Sequence, residues 1–138
     1  MASTLHVEIV TPECKLFEQE ASFVSCPAAQ GEVGILPMHE AFISTLLAGE
    51  LKIKQEEAAQ EHLYIIAGGY LQVKDDQVIV LADRAIEFSQ INAEQAQLRL
   101  QELEAELAAM QELESEKAKA LKNEQDWYKA QLHSLDRH

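Results

Sequence analysis

The chain has 138 residues, of which 47% are apolar, enough for one ordinary domain or for one small domain with an appendage. Its formal net charge of −13 argues against nucleic acid and anionic lipid surfaces as direct partners, because both would repel it. The chain contains no apolar run of about 18 residues and no basic-then-apolar start, so we expect neither a membrane span nor a secretory signal.

The first part of the chain has the two-residue period of β-strands. Leu5, Val7 and Ile9 alternate with polar residues until Thr11-Pro12-Glu13 interrupts the pattern. Further short elements are predicted from the same period: strands at 15–17 and 21–26 with 18–20 as their connection, a buried segment at 43–47, and a strand at 50–54 with Leu51 and Ile53 on one face.

Residues 55–61 are polar enough to be the end of a hairpin, and residues 63–67 are almost continuously apolar, as in a strand buried on both faces. Gly68-Gly69 then indicates a bulge or a close backbone approach, and Asp75-Asp76 indicates a turn before the strand at 78–81. About eight to ten short strands without intervening helices predict a β-sandwich or a flattened barrel.

The period changes to that of a helix after Ile91. Asn92 is a candidate N-cap, with Gln95 three residues later. Two apolar stripes follow, the first formed by Ala96, Leu100, Leu103, Leu107 and Met110, and the second by Ala118, Leu121, Tyr128, Leu132 and Leu135. The change of phase near 111–117 predicts two helices folded as a hairpin, with one continuous helix from 92 to 135 as the alternative.

A glycine-rich stretch in the first part of the chain has a distinctive pattern. It runs Gly31-Glu32-Val33-Gly34-Ile35-Leu36-Pro37-Met38-His39, and Leu46 and Gly49 continue it. Glycines at this spacing allow a sharp turn or a close approach, and Pro37 should end any strand before it, so we interpret the stretch as an exposed loop entering a buried segment. A second block follows at residues 64–73 and 78–85.

Together these blocks resemble the epsilon subunit of bacterial F-type ATP synthases, which is called delta in mitochondria, over nearly the whole chain. One departure is Ala41, where the family usually has proline. The resemblance implies a fold of β + α class, in which an N-terminal ten-stranded β-sandwich at residues 1–88 is followed by a C-terminal two-helix hairpin at residues 89–138. It also implies a non-catalytic subunit located at the cytoplasmic face of the bacterial plasma membrane and attached only through the complex.

The resemblance further implies the partners of each region. Residues 31–34 (Gly31, Glu32, Val33 and Gly34) match positions that face the ring of c subunits, and Met38 and His39 match the side that faces the gamma subunit. The tail would lie folded on the sandwich, or extend to contact gamma and, transiently, the alpha and beta subunits, and so block ATP hydrolysis. Our hypothesis is that Lys117, Lys119 and Lys122 form a partial basic face that makes the inhibitory contacts.

Some relatives bind ATP through a motif with an acid and an arginine at the start of the first tail helix. The matching positions here are the amides Asn92 and Gln95, so we predict that ATP binds weakly or not at all and that no cofactor is required. Cys14 and Cys26 lack the spacing of metal ligands, and no metal site is expected.

Two other classes of function remain open from the sequence. A free-standing sandwich with a coiled-coil tail would act as a homo-oligomeric adaptor, with the stripe from Ala96 to Met110 as its dimer seam. An enzyme would have to use His39 with Glu32 or Glu40, and it would need a cavity that joins them. We find no nucleophile motif, Walker loop or dinucleotide-binding glycine motif to support catalysis.

Overall fold

Eight strands precede two helices in the protein. The structure is a computed structural model that describes residues 3–56, 59–112 and 114–138. The elements are β1 (Leu5–Val10), β2 (Lys15–Ala21), β3 (Phe23–Ala28), β4 (Gly31–Ile35), β5 (Phe42–Gln55), β6 (Gln60–Lys74), β7 (Gln77–Ala82), β8 (Ala85–Glu87), a 3₁₀ turn (Phe88–Gln90), α1 (Ala93–Ala109) and α2 (Glu116–Arg137).

The strands form one open sheet that folds over on itself as a sandwich. Their order is β2-β1-β7-β6-β5-β3-β4, and β8 pairs with β6. Among the described pairs, β1 and β7 are parallel and the others are antiparallel. The two longest strands, β5 with 14 residues and β6 with 15, connect the two layers. The sandwich was predicted correctly, but the described residues form eight strands rather than ten, and their path is open rather than closed as a barrel.

Two consecutive glycines explain how β6 serves both layers. Its first half pairs with β8 through Ile66, and its second half pairs with β7 from Gly69 onwards. Gly68 and Gly69 have φ values of 114° and 142°, which side chains rarely adopt. A Cβ on Gly69 would collide with the backbone oxygen of Leu81, so the close backbone approach predicted here is confirmed.

The core lies between the two layers and follows the predicted alternation. Leu5, Val7 and Ile9 of β1 are fully buried, and their neighbours in sequence are half-buried. Leu51 and Ile53 of β5 point into the same core, as predicted. Each fully buried aliphatic side chain contributes about 1.5–3 kcal/mol, so this alternation supplies the main stabilisation of the sandwich.

Three local predictions in the strands were wrong. Residues 18–20 are not a connection but the middle of β2. Residues 31–35, interpreted as a loop, form the edge strand β4, which nevertheless ends before Pro37 as expected. Segment 43–47 is not uniformly buried, because Ser44 and Leu46 face the core whereas Ile43 and Leu47 face outward. The predicted hairpin end at 55–61 includes residues 57 and 58, which lie outside the described residues.

The tail forms two helices, as the change of phase predicted. Asn92 Oδ1 accepts the Gln95 backbone N–H at 3.0 Å and caps α1, and Ser115 Oγ accepts the Ala118 N–H at 3.2 Å and caps α2. A single helix from 92 to 135 is therefore excluded, although residue 113 lies outside the described part of the turn. No helix in the described ranges is long and apolar enough to cross a membrane.

The second helix is covered on two opposite faces. At 100° per residue, the predicted stripe from Ala118 through Leu121 to Leu135 points about 160° away from the line of Trp127, Ser134 and Arg137. The stripe faces α1, which packs along α2, and the other line faces β5 and β6 of the sandwich. The helix α2 is therefore the layer that joins α1 to the sandwich.

Candidate functional site

The stretch expected to face the ring of c subunits lies at one end of the sheet. Gly31 follows a two-residue turn between β3 and β4 and has a φ of 123° in open space. Glu32 is exposed, but its Oε1 accepts a hydrogen bond from Ser25 Oγ at 2.6 Å. Val33 packs against the core, and a Cβ on Gly34 would lie only 3.0 Å from the Phe23 ring. The stretch is thus a rigid hairpin edge rather than a free loop.

Met38 occupies the tip of the loop between β4 and β5. It has a φ of 70°, unusual for a residue with a side chain, and is 83% exposed. Its backbone N–H donates to Asp76 Oδ1 at 2.6 Å, which ties the loop to the turn between β6 and β7. This bond holds an apolar side chain out in solvent, an arrangement typical of a contact surface.

His39 lies beside Met38 and makes local contacts. Its Nδ1–H donates to the Glu40 carbonyl oxygen at 2.7 Å, and its ring lies edge-on to Phe42 with centroids 6.0 Å apart. Two cavities of similar volume lie between α2 and the sandwich, and His39 lines neither. Within the described residues, no contact joins the His39 ring to the carboxylate of Glu32 or of Glu40. The geometry therefore gives no support to acid–base chemistry at His39.

An apolar surface covers the outer side of the sheet next to the Met38 loop. We call it the outward face and define it by residues on β5, β6 and β7, namely Ile43, Leu47, Tyr70, Ile79 and Leu81. Tyr70 of β6 pairs directly with Leu81 of β7. Ile43 of β5 lies diagonally across from Tyr70. Ile43 is 77% exposed and Tyr70 is 59% exposed. Several neighbouring large apolar side chains in solvent mark a surface for another protein.

The three lysines of the inhibitory hypothesis are exposed near the start of α2. Lys119 and Lys122 lie about 60° apart around the helix axis, whereas Lys117 lies about 140–160° from both. Lys119 Nζ is 4.0 Å from Glu116 Oε1. The helix therefore brings Lys119 and Lys122 onto one side and places Lys117 on another.

Asn92 and Gln95, at the degenerate nucleotide motif, are bonded to each other through the cap of α1.

A groove of about 670 Å³ lies between α2 and the sandwich and is lined by both charged and apolar groups. Its carboxylates are Asp83, Glu124 and Asp126, and the guanidinium of Arg84 stacks over the Trp127 ring at 5.1 Å. Carboxylates in excess of cations suit a phosphate ligand poorly.

A charged cluster that sequence reasoning missed lies on β1 and β2. His6 Nδ1 is 2.8 Å from Glu20 Oε2, and its Nε2 is 2.9 Å from Glu18 Oε2. Only the protonated ring can donate from both nitrogens, and these bonds raise the pKa of His6 above 6.5. Atoms of His6, Glu8 and Glu18 are close enough to hold a metal ion, but Lys15 Nζ already lies 2.9 Å from Glu18 Oε1.

Comparison with known proteins identifies the family. The family model of the ATP synthase delta/epsilon chain, β-sandwich domain, matches residues 4–88, which is more than half of the chain. This chain belongs to the ATP synthase delta/epsilon family. Curated relatives are named ATP synthase epsilon chain: that of Thioalkalivibrio sulfidiphilus is 38% identical over 78% of this chain and 77% of its own length, and that of Halorhodospira halophila is 39% identical over 83% and 77%.

Chains in two solved ATP synthase structures have a similar fold. A chain of the Euglena gracilis mitochondrial ATP synthase superposes with a TM-score of 0.81 at 18% identity, covering 96% of this chain and 82% of that one. A chain of the Tetrahymena thermophila mitochondrial ATP synthase, from a structure of its central stalk and c ring, superposes with a TM-score of 0.66 at 17% identity, covering 94% and 95%. The fold of this chain, with its sandwich and its tail helices, is therefore also found in chains of solved ATP synthase structures.

The outward face was the main functional feature that sequence reasoning missed. Residues 43–47 read Ile-Ser-Thr-Leu-Leu, and this segment was interpreted as buried. The signal that was present is the pair of polar residues Ser44 and Thr45 within the segment, of which Ser44 faces inward and is 9% exposed. Only the pairing of β5 with β6 shows that Ile43, Thr45 and Leu47 share the solvent side.

Proposed function

We propose that this epsilon chain is a non-catalytic part of the central stalk of a proton-translocating ATP synthase. Its sandwich binds the gamma subunit through the outward face and the Met38 loop, and it stands on the c ring through residues 31–34. Rotation of the ring is thereby passed to the catalytic head. The chain resides at the cytoplasmic face of the bacterial plasma membrane and is attached only through the complex.

The observation that carries this proposal is the outward face itself. Large apolar side chains stay exposed on the outer side of the sheet, and the Met38 tip adjoins the same strand ends through Asp76. Burying one such side chain contributes about 1.5–3 kcal/mol, so a partner covering this face gains a strong, specific contact. The gamma subunit is the partner that the resemblance to the epsilon subunit implies for this side of the sandwich.

A charge substitution tests this contact. Tyr70→Glu in the full chain should weaken binding to a reconstituted complex of gamma and catalytic head by about tenfold or more, because burial of the ring is replaced by an unpaired charge. Leu98→Glu is the matched control, since Leu98 of α1 is also 59% exposed but lies outside the outward face. Equal loss in both variants, measured by surface plasmon resonance, would contradict the proposed surface.

The tail supplies the regulatory part of the proposal. Docked on the sandwich, α1 and α2 leave rotation free; extended along the stalk, they contact gamma and, transiently, the alpha and beta subunits and block ATP hydrolysis. The docked state described above has a mixed polar and apolar contact between α2 and the sandwich, which supports a tail that can leave.

Steady-state ATP hydrolysis tests the brake. Catalytic head and gamma are reconstituted with the full chain or with a version that ends at Ser89, and both versions are first shown to bind gamma. Stronger inhibition by the full chain is the expected result. Equal hydrolysis with both versions bound would leave a purely structural coupling subunit, and failure of both to bind would contradict the stalk role.

The homo-oligomeric adaptor has less support. Its predicted seam uses the stripe from Ala96 to Met110, but Leu103 in the middle of that stripe is fully buried in a chain whose α1 packs on its own α2. The stripe is thus occupied within the monomer.

A further inference from the structure

The last turn of α2 converges on one carboxylate of the sandwich. Glu50 lies in β5, and its side chain is 10% exposed. Arg137 Nη1 donates to Glu50 Oε1 at 2.8 Å, and His138 Nε2 lies 2.9 Å from Glu50 Oε2. Ser134 Oγ donates to the same Oε2 at 3.3 Å. The His138 ring also packs edge-on against Phe88, with centroids 5.6 Å apart.

The remainder of this helix face offers limited apolar contact. Trp127 is its one large apolar side chain within the described residues and is 4% exposed. Further along, Gln131 and Ser134 are buried polar residues on or beside the same line. Burying polar groups gives little hydrophobic stabilisation and requires hydrogen-bond partners. Docking of α2 therefore depends on two contacts, Trp127 under Arg84 and the end of the helix on Glu50.

The Glu50 contacts exist only while the tail is docked. The ionised form of a nearly buried carboxylate needs hydrogen-bond donors around it. Within the described residues, the side-chain donors to Glu50 all come from the end of the tail, at Ser134, Arg137 and His138. When α2 leaves, Glu50 and Arg137 both return to water. The bonds among them therefore favour the docked state specifically and contribute nothing to the released state.

We propose that Glu50 is a latch that holds the end of α2 on the sandwich, and that its bonds to Arg137, His138 and Ser134 set the fraction of molecules with a released tail. The latch is a property of the isolated chain. Only its consequence for ATP hydrolysis rests on the function proposed above.

Hydrogen exchange of the isolated full chain tests the latch. Arg137→Ala and Glu50→Gln should each speed exchange of the α2 amides by about tenfold, since bonds to a charged group are lost. Protection of β1 should stay unchanged, which shows that the sandwich is intact. Unchanged α2 exchange in both variants would overturn the latch.

Two control variants separate the latch from a general effect of charge. Lys117→Ala removes a positive charge from an exposed position in the first turn of the same helix, far along α2 from Glu50, and Glu61→Gln removes a negative charge from an exposed position of β6. Both should leave α2 exchange unchanged. A double variant, Glu50→Gln with Arg137→Ala, should lose less protection than the sum of the single losses, because both substitutions break the same bonds. Additive losses would overturn the proposed pairing.

The reconstituted enzyme then links the latch to regulation. If the tail inhibits, Arg137→Ala should lower ATP hydrolysis, because more molecules have an extended tail. Faster α2 exchange with unchanged hydrolysis would support the latch and overturn only the inhibitory role of the tail. Unchanged exchange would overturn the latch whatever the hydrolysis rate.

Discussion

At the residue scale, the side chain of Asp76 fixes the conformation of the Met38 loop. Asp75 and Asp76 have φ values of 50° and 60°, as a tight hairpin turn requires. The Asp76 carboxylate extends from this turn to the Met38 N–H. A turn residue chosen for its backbone thus also positions an apolar tip 38 residues earlier in the chain.

Asp76→Gly should release this loop without straining the turn, since glycine accepts a positive φ. We expect the Met38 amide to exchange about tenfold faster, because its charged acceptor is gone. Asp76→Asn keeps an acceptor oxygen and should retain most of the protection. Amide exchange followed by NMR distinguishes them, and equally fast exchange in both variants would contradict this role of the side chain.

His6 and Glu18 make opposite contributions to the pH dependence of stability. The bonds from His6 to Glu20 and Glu18 raise the pKa of His6 above 6.5. The stability that His6 contributes to the folded state is therefore full below pH 6.5 and is lost as the pH rises through the raised pKa. Bonds from Lys15, then His6, lower the pKa of Glu18 from 4.5 to about 2, so its contribution is present above pH 4.5 and is lost as the pH falls toward 2.

The difference in melting temperature between the wild type and His6→Gln should therefore be largest between about pH 4.5 and 6.5. NMR titration of the His6 ring should give a pKa above 6.5, and Glu20→Gln should lower it, because the Glu20 bond is the largest cause of the shift. A His6 pKa that does not respond to Glu20→Gln would show that this bond does not form in solution.

At the element scale, β6 and α2 each connect two layers, and β6 pairs with β5 along one side and with β8 and then β7 along the other. The strand changes its partner at Gly68-Gly69, and the helix places α1 on one side and the sandwich on the other. In both cases a single element connects layers, so a local change there affects packing on two sides.

Gly69→Ala should destabilise the chain by more than about 3 kcal/mol, because the new Cβ meets the Leu81 carbonyl and the φ of 142° is strained for alanine. Gly31→Ala is the matched control. Gly31 has a φ of 123° and no atom near the position of a new Cβ, so this variant should lose only about 1–2 kcal/mol of folding stability. Urea unfolding measures both variants, and equal losses would mean that the contact with Leu81 is relieved by relaxation.

At the scale of the whole molecule, the proposed binding surface and the docked tail are neighbours. The groove between α2 and the sandwich is lined on one side by Leu47 and Tyr70 of the outward face and on the other by Asn123 and Trp127 of α2. A partner seated on the outward face therefore lies next to the docked tail. This arrangement fits a subunit whose binding and whose inhibitory state are linked.

Replacing Lys117, Lys119 and Lys122 together with alanine should raise ATP hydrolysis by the reconstituted enzyme, if the tail makes inhibitory contacts through them. Because Lys119 and Lys122 share one side of α2, the double variant of these two should produce most of the increase. Lys117→Ala is the matched control for removal of one charge on another side. Hydrolysis that is unchanged in the triple variant would remove these lysines from the mechanism.

Much of the fold could be predicted because its signals are local. The alternation of Leu5, Val7 and Ile9 and the cap at Asn92 depend on residues a few positions apart, and the structure follows the sequence there. The sites were harder to predict. The proposed contacts of residues 31–34, Met38 and His39 rest on the resemblance alone, so their roles stay predictions. The division of roles between residues 1–88 and 89–138 also stays a prediction.

By itself, the sequence determined the class of fold and the family and favoured two tail helices over one, since periodicity, capping and motif order all lie within neighbouring residues. The tertiary structure decided which apolar residues are exposed and which charges meet. Ile43 and Leu46 have similar side chains in one strand, but only one of them has a second layer above it. Glu50 and Arg137 are 87 residues apart, and only the docking of α2 brings them together. Burial and pairing across such distances depend on how elements pack, which no local pattern encodes.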